Sequence, residues 1–258
     1  MTAAPFSRAL PILFALLQIA TPTLPFLGIG RPIGEQSDAV RTLVTPAGWA
    51  FSIWGVLYFG SLVFAVVQAL PARRDDPLFA PLRLPAAGAF LGNALWAAYT
   101  QVYGLALPSV VIILFTLACL LSCYRGFAHR PHPFTPVQRW GAMVPLSALA
   151  SWLTVASIVN IAATLRFYGV DGGSITPGIA AGVLIVGGLI AAVAIVRGNG
   201  NLPYAVVFLW ALSAIYAAGG QQAGAVAFAV ALAAALVISA VALALLRRAE
   251  ARGTPALR

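Results

Sequence analysis

Hydrophobic positions along this chain do not alternate with polar ones; they run on in long blocks. Apolar stretches of the length a membrane helix needs, about 20 residues, fall at 9–29, 46–70, 84–103, 105–127, 139–166, 177–196, 202–218 and 222–246. None shows the period-2 alternation of a barrel strand. In lipid no water satisfies backbone N–H and C=O groups, so unbroken apolar runs must be helices. The pattern predicts an all-α integral membrane protein of about eight transmembrane helices. Two connections, 103–108 and 219–222, are short and uncharged and read as tight hairpins broken by Gly104, Pro108, Gly219 and Gly220. The first run outlasts the apolar core of a secretion signal and lacks a small-x-small cleavage site, so it is expected to stay as a helix. Residues 30–44 form the longest outer loop, carry Arg31, Glu35, Asp38 and Arg41, and are placed to lie over the bundle as a lid.

Composition supports this reading. Of 258 residues, 61% are hydrophobic and 8% charged, and the mean hydropathy is +0.95. A soluble domain carries about 25% charged residues, so most of this surface must meet lipid. The net charge of +9 comes from fifteen arginines and no lysine. They sit mainly between apolar runs and form no nucleic-acid footprint, so no nucleic-acid partner is expected. Counted on alternate sides of eight spans, one face collects Arg8, Arg73, Arg74, Arg83, Arg125, Arg130, Arg139, Arg197, Arg247, Arg248, Arg252 and Arg258. The other collects only Arg31, Arg41 and Arg166. By the positive-inside rule both termini are expected in the cytoplasm, and an arginine-only basic set suggests a bacterial inner membrane.

Metal and acid–base chemistry find little support. Cys119 and Cys123 are four apart on one helix and read as small packing residues. His129 and His132 share a Pro-rich turn without a carboxylate or thiolate nearby, a poor ligand set. The six acidic residues lie in loops and the tail, whereas ion-coupled transporters place ionisable groups inside their spans. No resident cofactor, and no enzyme with its own acid–base machinery, is expected.

The spans do carry aromatic and amide side chains at helical spacing. The second opens with Thr45 as a natural N-cap and Pro46 in the first turn, followed by Trp49, Phe51, Trp54 and Tyr58. The third carries Asn93, Trp96, Tyr99 and Tyr103 on one stripe, and the fifth has Trp152 and Asn160 two turns apart. An interfacial belt suits Trp140 and Trp49, which lie near helix ends. Asn93 and Asn160 lie deep enough to act as interhelical hydrogen-bond glue. Trp54, Trp96, Tyr99 and Trp152 are placed to line a pocket for a flat hydrophobic ligand.

These residues resemble a known family. Pro46-Ala-Gly-Trp49-Ala-Phe51-Ser-Ile-Trp54-Gly-Val-Leu-Tyr58 is similar to the start of the second helix in TspO/translocator proteins, the tryptophan-rich sensory proteins. Asn93-Ala-Leu-Trp96 resembles the Asn-x-x-Trp of their third helix, and the fourth helix ends in Tyr124-Arg125. Trp152 and Asn160 resemble the Trp-x7-Asn of their fifth. The match covers roughly residues 5–166. The chain departs in three places. Pro145 lies seven residues before Trp152 and is followed by Leu146, Ser109 stands where an acidic residue is common, and three further helices follow.

The resemblance implies a five-helix bundle over 1–168, with 169–258 adding three helices and a tail. It implies a receptor, sensor or carrier for a porphyrin, haem-like or sterol-like ligand, bound under the first loop by Trp49, Phe51, Trp54, Tyr58, Asn93, Trp96, Tyr99, Trp152 and Asn160. Arg31 or Arg41 would then pair with a propionate. The alternative is a secondary transporter for a small lipophilic or neutral solute. The Ala/Gly-rich final helices are suited to close packing or to a homodimer.

Overall fold

A computed structural model describes residues 5–129 and 133–253 of the chain. Arg130, His132 and Arg258 lie outside the described residues. Those described form helices and turns and no strand.

The first helix, α1 (Pro5–Ala20), runs on through a 3-10 segment, Thr21–Leu27, that contains Pro22 and Pro25. A short helix in the outer loop, α2 (Ile33–Ala39), follows. A 3-10 turn, Gly48–Ser52, leads into α3 (Ile53–Ala69). Next come α4 (Phe79–Tyr103) and α5 (Leu107–Ala128). The single turn α6 (Pro136–Gln138) passes through a π-helical turn, Arg139–Met143, into α7 (Val144–Phe167). The last three are α8 (Thr176–Arg197), α9 (Leu202–Ile215, extended by a π turn Tyr216–Gly220) and α10 (Gly224–Gly253).

Seven of these segments are long and apolar enough to cross a membrane. The eighth long helix, α4, has 25 residues but buries Arg83, Asn93, Thr100 and Gln101. Its polarity is accommodated inside the protein rather than against lipid.

Helix starts differ from the sequence expectation where side chains cap them. Helix α4 begins at Phe79, not 84, because Asp76 Oδ1 accepts from the N–H groups of Leu78 and Phe79 at 2.9 and 3.4 Å. The fifth span begins at Pro136, not 139, in a reciprocal capping box between Thr135 and Gln138. Thr45 caps no helix. Its hydroxyl accepts from the Thr42 N–H at 2.9 Å and closes a turn, while the chain stays non-helical until Gly48.

Helices α1, α3, α7, α5 and α4 form a closed ring, each packed on the next and α4 back on α1. Helices α8 and α9 pack on α7 from outside the ring, and α10 lies across both. Helix α7 is therefore enclosed, and Ser147, Ala150, Ser151, Trp152 and Leu153 are almost completely buried. The sequence boundary near residue 168 falls in the turn between α7 and α8.

Polar ties hold the ring at both ends. At the arginine-rich end, Arg83 is 1% exposed. It donates to Gln68 Oε1 at 3.1 Å and to the carbonyls of Arg73 and Arg74 at 2.7 and 2.9 Å. Both carbonyls belong to the turn after α3, and Arg83 also reaches the Gln68 carbonyl in the last turn of that helix at 3.4 Å, where carbonyls need donors from outside the helix. Arg83 was expected to be a loop charge; the early start of α4 draws it into the helix instead. Arg8 donates to the carbonyl of Ala69, and Gln68 Nε2 donates to that of Arg8 at 2.8 Å. Cys119 and Cys123 are free thiols, and Cys123 is buried.

Candidate ligand-binding site

Inside the ring, beneath α2, lies a slot lined by Ile33, Ser37, Pro46, Phe51, Trp54, Trp96, Leu105, Trp152, Val155, Ala156, Val159 and Asn160. The non-helical start of the second span places Pro46 and Phe51 on one wall. Helices α3, α4 and α7 each present an indole to the same space.

The three indoles pack against one another. Trp54 stacks on Trp96 with centroids 6.5 Å apart and planes 28° from parallel. It meets Trp152 edge-on at 6.0 Å, and Phe51 meets the other side of Trp152 edge-on at 6.3 Å. Both geometries suit aromatic quadrupoles. The cavity within the slot is small, about 40 Å3. The slot is thus narrow, with room for a few waters. A larger guest would have to part its walls.

One polar chain fixes the floor. Trp96 Nε1–H donates to Asn160 Oδ1 at 2.8 Å, and Asn160 Nδ2 donates to Ser109 Oγ at 2.8 Å and Thr164 Oγ1 at 3.4 Å. The Thr164 hydroxyl donates to the Leu105 carbonyl at 2.8 Å. Every group in this chain has a partner, as buried polar groups in lipid require. The exception nearby is Trp152, which is 3% exposed. Its Nε1–H is buried with no hydrogen-bond partner among the described residues. Ser37, on α2, supplies the hydroxyl in the lining.

The first half of the lid is tied to α4 at one point. The Gln101 carbonyl accepts from the Arg31 N–H at 2.8 Å and from Gln36 Nε2 at 3.0 Å. Gly30 sits at φ +73°, and a β-carbon there would overlap that same carbonyl. Only glycine both adopts this conformation and permits the approach.

Five of the nine expected residues line the slot: Phe51, Trp54, Trp96, Trp152 and Asn160. The other four lie elsewhere. Tyr58 packs against Trp54 with ring centroids 5.2 Å apart and is not in the lining. Asn93 donates to Gln18 Oε1 of α1 at 3.1 Å, the interhelical glue its depth allowed. Tyr99 pairs with Tyr103. Trp49 is half exposed and packs edge-on against Trp210 at 4.8 Å. Arg31 and Arg41 are exposed on the lid, outside the lining, and Arg41 pairs with Asp38 at 2.6 Å.

Sequence reasoning missed Ile33, Ser37, Pro46, Leu105 and the Val155-Ala156-Val159 face. The last three share a helical face with Trp152 and Asn160, a signal that was available. Among the described residues no group of three or more His, Cys, Asp or Glu is arranged to hold a metal.

Comparison with known proteins agrees with this architecture. No curated protein and no solved structure matches the chain. A family profile described as TSPO-like protein matches residues 9–244, and so takes in the last three helices as well as the five-helix ring. The chain therefore belongs to the TSPO-like protein family.

Proposed function

We propose that this chain is a membrane receptor, sensor or carrier for a flat, largely apolar small molecule bearing at least one hydrogen-bond acceptor, held in the three-tryptophan slot. The observation that carries the reading is Trp152: a buried indole N–H without a partner, in the wall of a slot whose lining is aromatic and aliphatic apart from Ser37 and Asn160. Leaving such a donor unsatisfied costs about 1–3 kcal/mol, and a ligand carbonyl or ring nitrogen would recover that. A few convergent polar groups in an apolar cleft is the general form of a small-molecule site.

A tetrapyrrole is the finer reading, since indole faces offer broad contact to a macrocycle. It requires the lid and slot walls to separate, because the free space is narrow. The bias of charge supports placing the arginine-rich end in the cytoplasm.

The test is a titration of detergent-purified protein with protoporphyrin and with a bicyclic aromatic ketone, followed by tryptophan fluorescence. Saturable binding weakened roughly tenfold by Trp152→Phe, which keeps a ring and deletes one hydrogen bond, is the expected result. Folded protein that binds neither probe would remove the receptor reading. Proton-gradient-dependent solute uptake would replace it with a transporter.

A further inference from the structure

The slot wall carrying Pro46 and Phe51 is fastened to a helix from the far end of the chain. Ala47 N–H donates to the Ala214 carbonyl of α9 at 3.0 Å. Trp210 Nε1–H donates to the Ala50 carbonyl at 3.2 Å, across 160 residues of sequence. Trp49 stands edge-on against the Trp210 ring at 84°. In the π turn that ends α9, Gly219 lies so close to the Leu43 carbonyl that a β-carbon would overlap it. Residues 210 and 214 share a helical face, so one stripe of α9 meets the loop at successive points from Leu43 to Ala50. Pro46 lies between those points, and Phe51 directly follows them.

The opposite wall is held differently. Helix α2 has seven residues, and the hydrogen bonds that tie it and the preceding Arg31 to α4 both run to the single Gln101 carbonyl. One wall is thus fastened at several points and the other at one.

We propose that α9 sets the width of the ligand slot, with Trp210 as its principal positioning residue. The fastened loop holds Phe51 against Trp152 at 6.3 Å, so guests enter by displacing α2 and are selected for thinness by the wall that does not move. This rests on the ligand-binding reading above. It gives the last three helices a task in recognition rather than in packing alone.

The experiment uses the full chain in nanodiscs with two variants. Trp210→Phe keeps the ring and removes the N–H donor; Gly219→Ala forces the π turn off the Leu43 carbonyl. Hydrogen exchange is measured without ligand, and affinities are measured for protoporphyrin and for the bicyclic ketone. Losing one hydrogen bond of ordinary strength should speed exchange over residues 42–52 by about tenfold and leave residues 33–39 unchanged. The affinity ratio of wide to narrow probe should rise severalfold, with the melting temperature of Trp210→Phe near that of the parent.

Unchanged exchange over 42–52 in both folded variants would overturn the proposal. So would faster exchange with an unchanged affinity ratio, since the loop would then be fastened without setting selectivity. Parent protein that binds neither probe would overturn the ligand reading and the positioning role together. The exchange data would separate that failure from a failure of the α9 fastening.

Discussion

The indole N–H of Trp96 donates to the side-chain carbonyl of Asn160 at 2.8 Å, joining two helices through residues 64 apart in sequence. Asn160 lines the slot and ties the bundle at once, so pocket lining and interhelical glue, which sequence reasoning kept as alternatives, describe the same side chain. Its amide donates onward to Ser109 and Thr164, which makes it the junction of α4, α5 and α7.

Asn160→Leu should therefore destabilise the bundle by about 2 kcal/mol, because interhelical hydrogen bonds in lipid are worth roughly 0.6–1.7 kcal/mol each. The Trp96 N–H would also be left without its acceptor. Equilibrium unfolding in mixed micelles measures the loss. An Asn160→Leu protein as stable as the parent would show that the chain of bonds carries no net energy.

Gln36→Ala removes one of the two donors that tie the lid to Gln101. Ligand association and dissociation should both accelerate, by about threefold to tenfold for one ordinary hydrogen bond, with affinity little changed. Gly30→Ala should act more strongly, since it adds strain at a positive φ to the overlap with the same carbonyl. Stopped-flow fluorescence separates the rates. Equal rates in the Gln36→Ala and parent proteins would mean that the lid does not gate entry.

Arg83 offers a fork of donors to carbonyls at and beyond the end of α3. Arg83→Lys should fail to restore what Arg83→Met loses, because an ammonium cannot reproduce the planar geometry. Each variant is expected to cost about 2–3 kcal/mol, the scale of hydrogen bonds made by a charged group. A lysine variant with parent-like unfolding would refute the geometric argument.

Asp171 lies in the turn before α8. The Gly173 N–H, then the Thr176 hydroxyl and the Arg166 guanidinium, hold its carboxyl below the usual range. A depressed carboxylate stabilises the fold above its unfolded-state pKa, about 3.9. That contribution fades as pH falls through the lower folded value. Exchange protection of the Gly173 amide should disappear over that acidic window and be pH-independent in Asp171→Asn. Protection lost instead near neutral pH would contradict the assignment.

Much of the fold was legible because lipid leaves few options: eight apolar runs became eight long helices, and Trp54, Trp96, Trp152 and Asn160, set together by the family resemblance, line one slot. Asn93, on the same stripe as Trp96, instead meets Gln18 of α1 as interhelical glue, because spacing on one helix does not say which neighbour each residue will meet. Trp210 gave no signal at all. Its importance arises from a contact across 160 residues, which depends on how the last helices fold back. Arg83 was misplaced for a local reason, since Asp76 starts the helix five residues earlier than hydropathy alone indicates.

The polarity of α4 bears on how the protein is made. Asn93 meets Gln18 of α1, Gln101 meets Thr21 of the 3-10 segment that follows it, and Arg83 meets Gln68 of α3. All of these partners precede α4 in the chain, so they emerge from the ribosome first. A helix that would be costly to leave alone in hydrocarbon thus arrives to find its acceptors and donors already in the bilayer, and only Trp96 must wait for a later helix. The order of residues in this protein is also an order of assembly. A circular permutant that places α1 and α3 after α5 should insert α4 poorly even though every final contact remains available, an outcome that protease protection of membrane-inserted chains would reveal.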